Sequence, residues 1–182
     1  MQTRRIAAIF TGHTHYAQVA NDGRNIVVAT RSIGDPEGGQ PGYMLAFAHG
    51  DDLAITYRSI DETGPIVLVT HPREKLLASY ARHIIVGPDE LRVRTWCDAQ
   101  MSRIAARVDD GEWHALLALE EGSWWYPLAT DQLAKGEHQL DVQAVDAEGR
   151  RGGQTIHFMV DATGRYTAVP FVRPVVTGTA FC

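Results

Sequence analysis

Apolar residues in this chain recur in short runs separated by Gly, Pro and Asp clusters, a pattern that predicts strands far more than helices. Ile6-Ala7-Ala8-Ile9-Phe10 is an unbroken apolar run and reads as a strand buried on both faces. It ends at Gly12-His13-Thr14-His15. The turn Asn21-Asp22-Gly23-Arg24 leads into a second strand, Asn25 to Thr30, rich in Ile and Val. Gly34 to Gly42, with two Pro and four Gly, reads as a loop. Tyr43 to Ala48 and Leu53 to Arg58, joined through Gly50-Asp51-Asp52, then form a hairpin. Residues 1–58 therefore predict an antiparallel meander without a helix.

The composition shifts at Asp61-Glu62-Thr63-Gly64-Pro65, which reads as a linker. Beyond it, Ile66 to Val69 is a strand and Leu91 to Thr95 alternates with period two. Ile104, Ala106 and Val108 share a face, and Asp109-Asp110-Gly111 turns the chain into a further strand, Trp113 to Leu119. Leu140, Val142 and Ala144 alternate with polar neighbours, and Thr155 to Val160 closes the series. Short strands at this spacing predict an antiparallel sandwich. Single helical turns are expected at Thr130 to Lys135, capped by Gly136, and at His71 to Leu77, with Pro72 in first position. The division expected is 1–60, 61–162 and an extended C-terminal tail, 163–182, lying back across the body.

Length and composition narrow the classes. The chain has 182 residues, 45% of them hydrophobic, and no apolar run long enough to span a membrane. A net charge of −5 makes nucleic acid an unexpected partner. Arg4 and Arg5 resemble the start of a signal peptide, but Ile6 to Phe10 is too short for its core, so a cytoplasmic location is expected. Two cysteines make no disulfide framework, and Cys97 reads as a buried core thiol.

Gly12-His13-Thr14-His15 is the one feature that points to chemistry. Residues i and i+2 of an extended segment face the same way, roughly 6.6 Å apart. His13 and His15 so placed converge on one metal, or on two about 3.5–4 Å apart. The alternative is a pair of solvent-exposed turn histidines. Other metal folds with His-x-His fail on context. Tyr16 to Ala20 holds no Glu for a cupin, no Asp-His follows as in a metallo-β-lactamase, and an all-β remainder leaves no barrel for an amidohydrolase.

Residues 5–58 resemble the last motif of the calcineurin-like metallophosphoesterases, in which a strand ends in Gly-His-x-His and further strands complete a sheet. The lead-in Ile6 to Phe10 and the strand pair opened by Pro41-Gly42-Tyr43 belong to the match. The resemblance implies that His13 and His15 each bind one metal of a dinuclear Mn, Fe or Zn centre in a parent enzyme that hydrolyses phosphate esters. The family's Asp-x-His, Gly-Asp-x-x-Asp and Gly-Asn-His-Asp/Glu motifs are all missing. The chain thus lacks the bridging carboxylate, carries no catalytic residue of its own, and is expected to bind metal weakly or not at all.

The second region resembles bacterial immunoglobulin-like or fibronectin-like modules, on Val108-Asp109-Asp110-Gly111-Glu112-Trp113, Gly136 to Val142 and Ala144 to Gly149. The fold class expected is therefore all-β, a small antiparallel meander plus an immunoglobulin-like β-sandwich. Trp124-Trp125-Tyr126 reads either as a stacking platform for sugar or peptide or as core plus one exposed ring. His71, His83, His114, His138 and His157 read as surface or edge residues, and Arg92, Arg94, Arg103 and Arg107 as solvated strand faces. Two functions stay open: the metal-ligand end of a phosphoesterase, or a non-catalytic binding or structural module. The apolar faces of the meander also lead to the expectation of a homodimer.

Overall fold

A computed structural model describes residues 6–13, 15–34 and 40–174. Thr14, most of the Gly34–Gly42 loop, and the tail from 175 through Cys182 lie outside the described residues. The chain is all-β. Its strands are β1 (Ile9–Thr11), β2 (Gln18–Asn21), β3 (Ile26–Ala29), β4 (Gly42–His49), β5 (Asp52–Ser59), β6 (Ile66–His71) and β7 (Asp89–Trp96). They continue with β8 (Met101–Val108), β9 (His114–Ala115), β10 (Leu117–Glu120), β11 (Ser123–Leu128), β12 (Gly136–Asp146), β13 (Arg151–Val160) and β14 (Phe171–Pro174).

Two four-stranded sheets, ordered β10-β11-β7-β6 and β13-β12-β8-β9, pack over one core. With the eight strands taken in chain order, this is the arrangement of an immunoglobulin-like sandwich. Alternation builds the core: Leu91 and Val93 from one sheet meet Ile104, Ala106, Leu140, Val142 and Phe158 from the other. The run Trp113 to Leu119 is not one strand. At buried Leu116 the chain leaves β9, paired with β8, and crosses to β10, paired with β11.

The N-terminal strands depart from a simple meander. The sheet order is β1-β3-β2-β14, with β1 parallel to β3 and β2 antiparallel to it. The β2–β3 hairpin turn is fixed by Asp22, whose carboxylate accepts from the Arg24 and Asn25 amides, 2.8 and 2.6 Å away. Because β3 returns into the slot between β1 and β2, β1 has a strand neighbour on one side only among the described residues. Ile6, Ile9 and Phe10 are correspondingly 66%, 44% and 50% exposed, so the expectation of a strand buried on both faces is corrected. Of the described part of the tail, β14 pairs with β2, from Phe171 opposite Asn21 to Pro174 opposite Gln18.

Leu77, fully buried, joins Val19, Ile26, Val28, Leu53 and Ile55 in a second core. It sits in a 3-10 turn, Lys75–Leu77, in which the Glu74 carboxylate accepts from the Leu76 amide. That turn is shorter than the helix expected from His71 to Leu77, and Pro72 precedes it instead of opening it. The second helical turn spans Thr130–Gln132 and is closed at Leu133, while Gly136 opens β12 rather than capping the turn.

The connector 61–65 is held in place. The buried Arg58 guanidinium donates to the carbonyls of Glu62 (2.8 Å), Gly64 and Pro65 (3.3 Å). The connector backbone presses on the start of β13 so closely that a side chain on Gly152 would meet the Pro65 carbonyl at 1.8 Å. Glycine is the residue that permits this crossing. Gln154, one turn of the pleat further, spans the edges of two strands. Its Oε1 accepts from the Val69 amide at 2.6 Å and its Nε2 donates to the Ile55 carbonyl at 2.9 Å.

Candidate functional site

The Gly12–Tyr16 turn follows β1. His13 and His15 have φ values of 81° and 57°, so both lie in the left-handed region and not on an extended segment as expected. The reason is the reversal itself: the chain must leave β1 and enter β2 two sheet positions away within a few residues. Non-glycine residues take this conformation uncommonly, with His among those that tolerate it better. His13 is exposed and His15 half-buried. Among the described residues no group of three or more His, Cys, Asp or Glu gathers to hold a metal ion. A dinuclear centre needs more ligands than the two imidazoles this turn supplies.

A different site comes from the packing of the hairpin on the sandwich. The β4–β5 turn, Gly50–Asp51, is latched to the segment after β6. The Asp51 carboxylate accepts from the Arg82 guanidinium and lies 3.3 Å from His83 Nε2. The Arg82 hydrogen bond lowers the Asp51 carboxyl to about 2, against the opposing effect of its partial burial. His83 accepts the Ser79 amide at Nδ1 (3.0 Å), which leaves the proton at Nε2 facing Asp51. Burial, with Arg73 close by, pushes its pKa down, so it is held neutral. Arg73, itself buried, donates to the Asp51 and Leu77 carbonyls and lies 3.8 Å from Asp52.

So anchored, the hairpin overhangs the outer face of the β10-β11-β7-β6 sheet and leaves an open cleft of about 780 Å³. Phe47, His49 and Asp52 form the hairpin wall, and His71, Asp89, Arg92, Arg94 and Trp125 lie on the sheet wall. Strand alternation explains who faces it. Trp124 and Tyr126 turn inward, opposite core residues Val93 and Leu91, and Trp125 turns outward opposite Arg92. Trp124 Nε1 donates to Thr95 Oγ1 at 2.9 Å, which satisfies the inward ring. The triplet is thus core plus one outward ring, and that ring lines the cleft.

Charges in the cleft come in pairs. His71 Nε2 lies 3.1 Å from Asp89 Oδ1, off the line of a well-formed hydrogen bond. Burial works against the Asp89 charge, yet His71, the Glu90 amide and Arg92 hold its carboxyl below the usual range. Arg92 Nε donates to Glu90 Oε1 at 2.7 Å, and Arg94 reaches Glu120 at 3.2 Å. On the hairpin wall the Phe47 and His49 rings stack at 6.4 Å.

Cys97 and His138 stand elsewhere than expected. Cys97 is exposed, not a core thiol, because β7 ends at Trp96 and the next residue belongs to the turn. Its Sγ faces the buried carboxylate of Asp146 at 3.4 Å. His138 is buried, with Nδ1 2.8 Å from Asp109 Oδ2 and Nε2 2.8 Å from the Ala134 carbonyl. Arg107 lies partly exposed on its strand face as expected, paired with buried Asp141 at 3.0 Å and stacked over the Trp113 ring. Arg92 and Arg94 line the cleft, and the half-exposed His71 joins them there. The outward register of Trp125 was the one sign of the cleft in the sequence. His49 and Asp52 carried none, since only the folded hairpin brings them over the sheet.

No family model matches this chain, and no curated protein matches it. Among solved structures it is similar to the endo-β-1,4-mannanase of Thermotoga petrophila, at 16% identity and a TM-score of 0.43 over 57% of this chain and 21% of that one. An engineered protein is similar at 17% identity and TM-score 0.40, over 53% and 20% of the two chains. The fibronectin(III)-like modules of Clostridium thermocellum CbhA are similar at 14% identity and TM-score 0.36, over 89% and 93%. The chain spans about a fifth of the length of the first two. The sandwich assignment rests on strand order and core, not on these likenesses. Among the described residues no helix is long and apolar enough to cross a membrane.

Proposed function

We propose that this chain is a non-catalytic β-sandwich binding module whose ligand site is the cleft between the β4–β5 hairpin and the outer face of the β10-β11-β7-β6 sheet. The observation that carries the reading is Trp125, which alternation sends away from the core into a cleft already lined by fixed, paired polar groups. Proteins keep few such concave surfaces with an outward aromatic ring. A ligand that binds the folded state raises its melting temperature by mass action. A thermal-shift screen of soluble sugars, peptides and nucleotides should therefore return a ligand whose stabilisation disappears in Trp125→Ala. A screen in which every stabilising compound acts equally on the variant would overturn the assignment.

A second reading is favoured by the two left-handed histidines after β1, a conformation that costs of order 1–3 kcal/mol per residue and collects at functional sites. Here residues 1–60 are the end of a metallophosphoesterase domain, 61–162 its accessory sandwich and 163–182 a tail. The open side of β1, with Ile9 and Phe10 exposed, is then the surface that the rest of the parent enzyme or a second copy covers. This reading expects no turnover by the chain alone; manganese-dependent binding of a phosphate diester at His13 and His15, lost in His13→Ala, would replace the first reading with this one. Sedimentation as a clean monomer would remove the second copy from it.

A further inference from the structure

Resting on the binding-module reading, we infer that the cleft takes a neutral saccharide chain, with one sugar ring stacked on Trp125. Four observations lead there. The indole lies between Leu117, its partner on β10, and Arg92, its partner on β7, so an apolar strip runs beside a row of donors and acceptors. Leu117 and Leu119 are 54% and 59% exposed, which extends that strip along the cleft toward the sheet edge. Both guanidinium groups beside it are already paired, Arg92 with Glu90 and Arg94 with Glu120, while His71 lies 3.1 Å from Asp89. With Asp52 and Asp89 also in the lining, neither guanidinium group is free to draw an anion into the cleft.

The backbone narrows the choice further. β7 and β11 are interior strands, hydrogen-bonded on both sides. An extended peptide binds a sheet by adding a strand at an open edge, and the two strands that carry Trp125, Arg92 and Arg94 offer none. Nucleic acid requires uncompensated Lys and Arg along its phosphates, and both guanidinium groups here are engaged. A purely apolar ligand would leave the guanidinium and carboxylate groups desolvated without partners. A sugar ring meets all of these conditions. Its C–H face covers the indole, and its hydroxyls, each both donor and acceptor, bond to guanidinium N–H and carboxylate oxygen at the rim. The open form of the cleft suits a chain that continues past the stacked ring, and its volume falls within the roughly 300–1,000 Å³ usual for ligand sites.

The test titrates the full chain with cellohexaose, laminarihexaose, xylohexaose and maltohexaose, read by tryptophan fluorescence and by the indole N–H resonance of Trp125. One of these should bind and shift that resonance. Trp125→Ala should weaken binding by about tenfold or more, Trp125→Tyr should restore part of it, and Trp124→Phe, a core change, should leave affinity unaltered. Saccharide binding that persists in Trp125→Ala would overturn the inference. So would Trp125-dependent binding confined to peptides or nucleotides in parallel titrations, although the binding-module reading would then stand. If no member of any panel binds in a Trp125-dependent manner, both fall.

Discussion

Replacing Gln154 with leucine separates the hairpin from the sandwich at a single point. Gln154 is 6% exposed, and its amide joins the free edge of β6 to the free edge of β5, at 2.6 Å to the Val69 amide and 2.9 Å to the Ile55 carbonyl. Leucine fills similar volume but offers neither donor nor acceptor. Each backbone group left unsatisfied costs roughly 1–3 kcal/mol, and the greater apolarity of leucine offsets about 1–2 kcal/mol of the sum. With two groups at mid-range, a net loss of about 2–3 kcal/mol remains. With a urea slope of about 2 kcal/mol/M the unfolding midpoint should fall by roughly 1–1.5 M, followed by tryptophan fluorescence. A shift below about 0.3 M would show that the amide bridge does not hold the hairpin, and the cleft would lose its fixed wall.

Three further outcomes are expected. Asp51, whose carboxyl is lowered to about 2 by Arg82, stabilises the hairpin latch above its unfolded pKa near 3.9 and ceases to as pH falls toward 2. Asp51→Asn should therefore be less stable than wild type at neutral pH, by under about 1 kcal/mol after solvent screening, and equal to it in strong acid; a gap that widens in acid would refute the latch. Burial opposes charge on His138, but the Ala134 carbonyl and Asp109 carboxylate together raise its pKa. Its contribution is complete below about 6.5 and is lost as pH rises through the higher folded value, so urea midpoints of wild type and His138→Gln should converge in alkali, and divergence there would contradict it. Zinc or manganese added to the chain should bind weakly at His13 and His15 and leave with EDTA; a stoichiometric metal surviving chelation, measured by elemental analysis, would show ligands from elsewhere.

The sandwich was legible because one buried face imposes period-two alternation, plain at Leu91–Val93–Thr95 and Leu140–Val142–Ala144. Pairing partners are not encoded that way. The parallel contact of β1 with β3 left no local mark, so an apolar run looked doubly buried when its strand had one neighbour. The crossing at Leu116 was hidden because the chain changes sheets without a Gly or Pro. Short-range polarity misplaced His138 as well, since its two acceptors, Asp109 and Ala134, come from separate turns. Of the cleft, only Trp125 stood out, as the middle of an aromatic triplet. His49, His71 and Arg94 reach it from three different strands, and nothing in their spacing anticipates that meeting.

The claim that the cleft, and not the histidine turn, is the working surface is tested most directly by a backbone and indole ¹H–¹⁵N shift map of the full chain. The map would be recorded on titration with the oligosaccharides and, separately, with a phosphate diester and manganese. The account expects shifts clustered on His49, His71, Arg92, Arg94 and the Trp125 indole with an oligosaccharide, and little change elsewhere. A silent cleft, with shifts confined to Gly12 through Tyr16 on adding diester and metal, would contradict it.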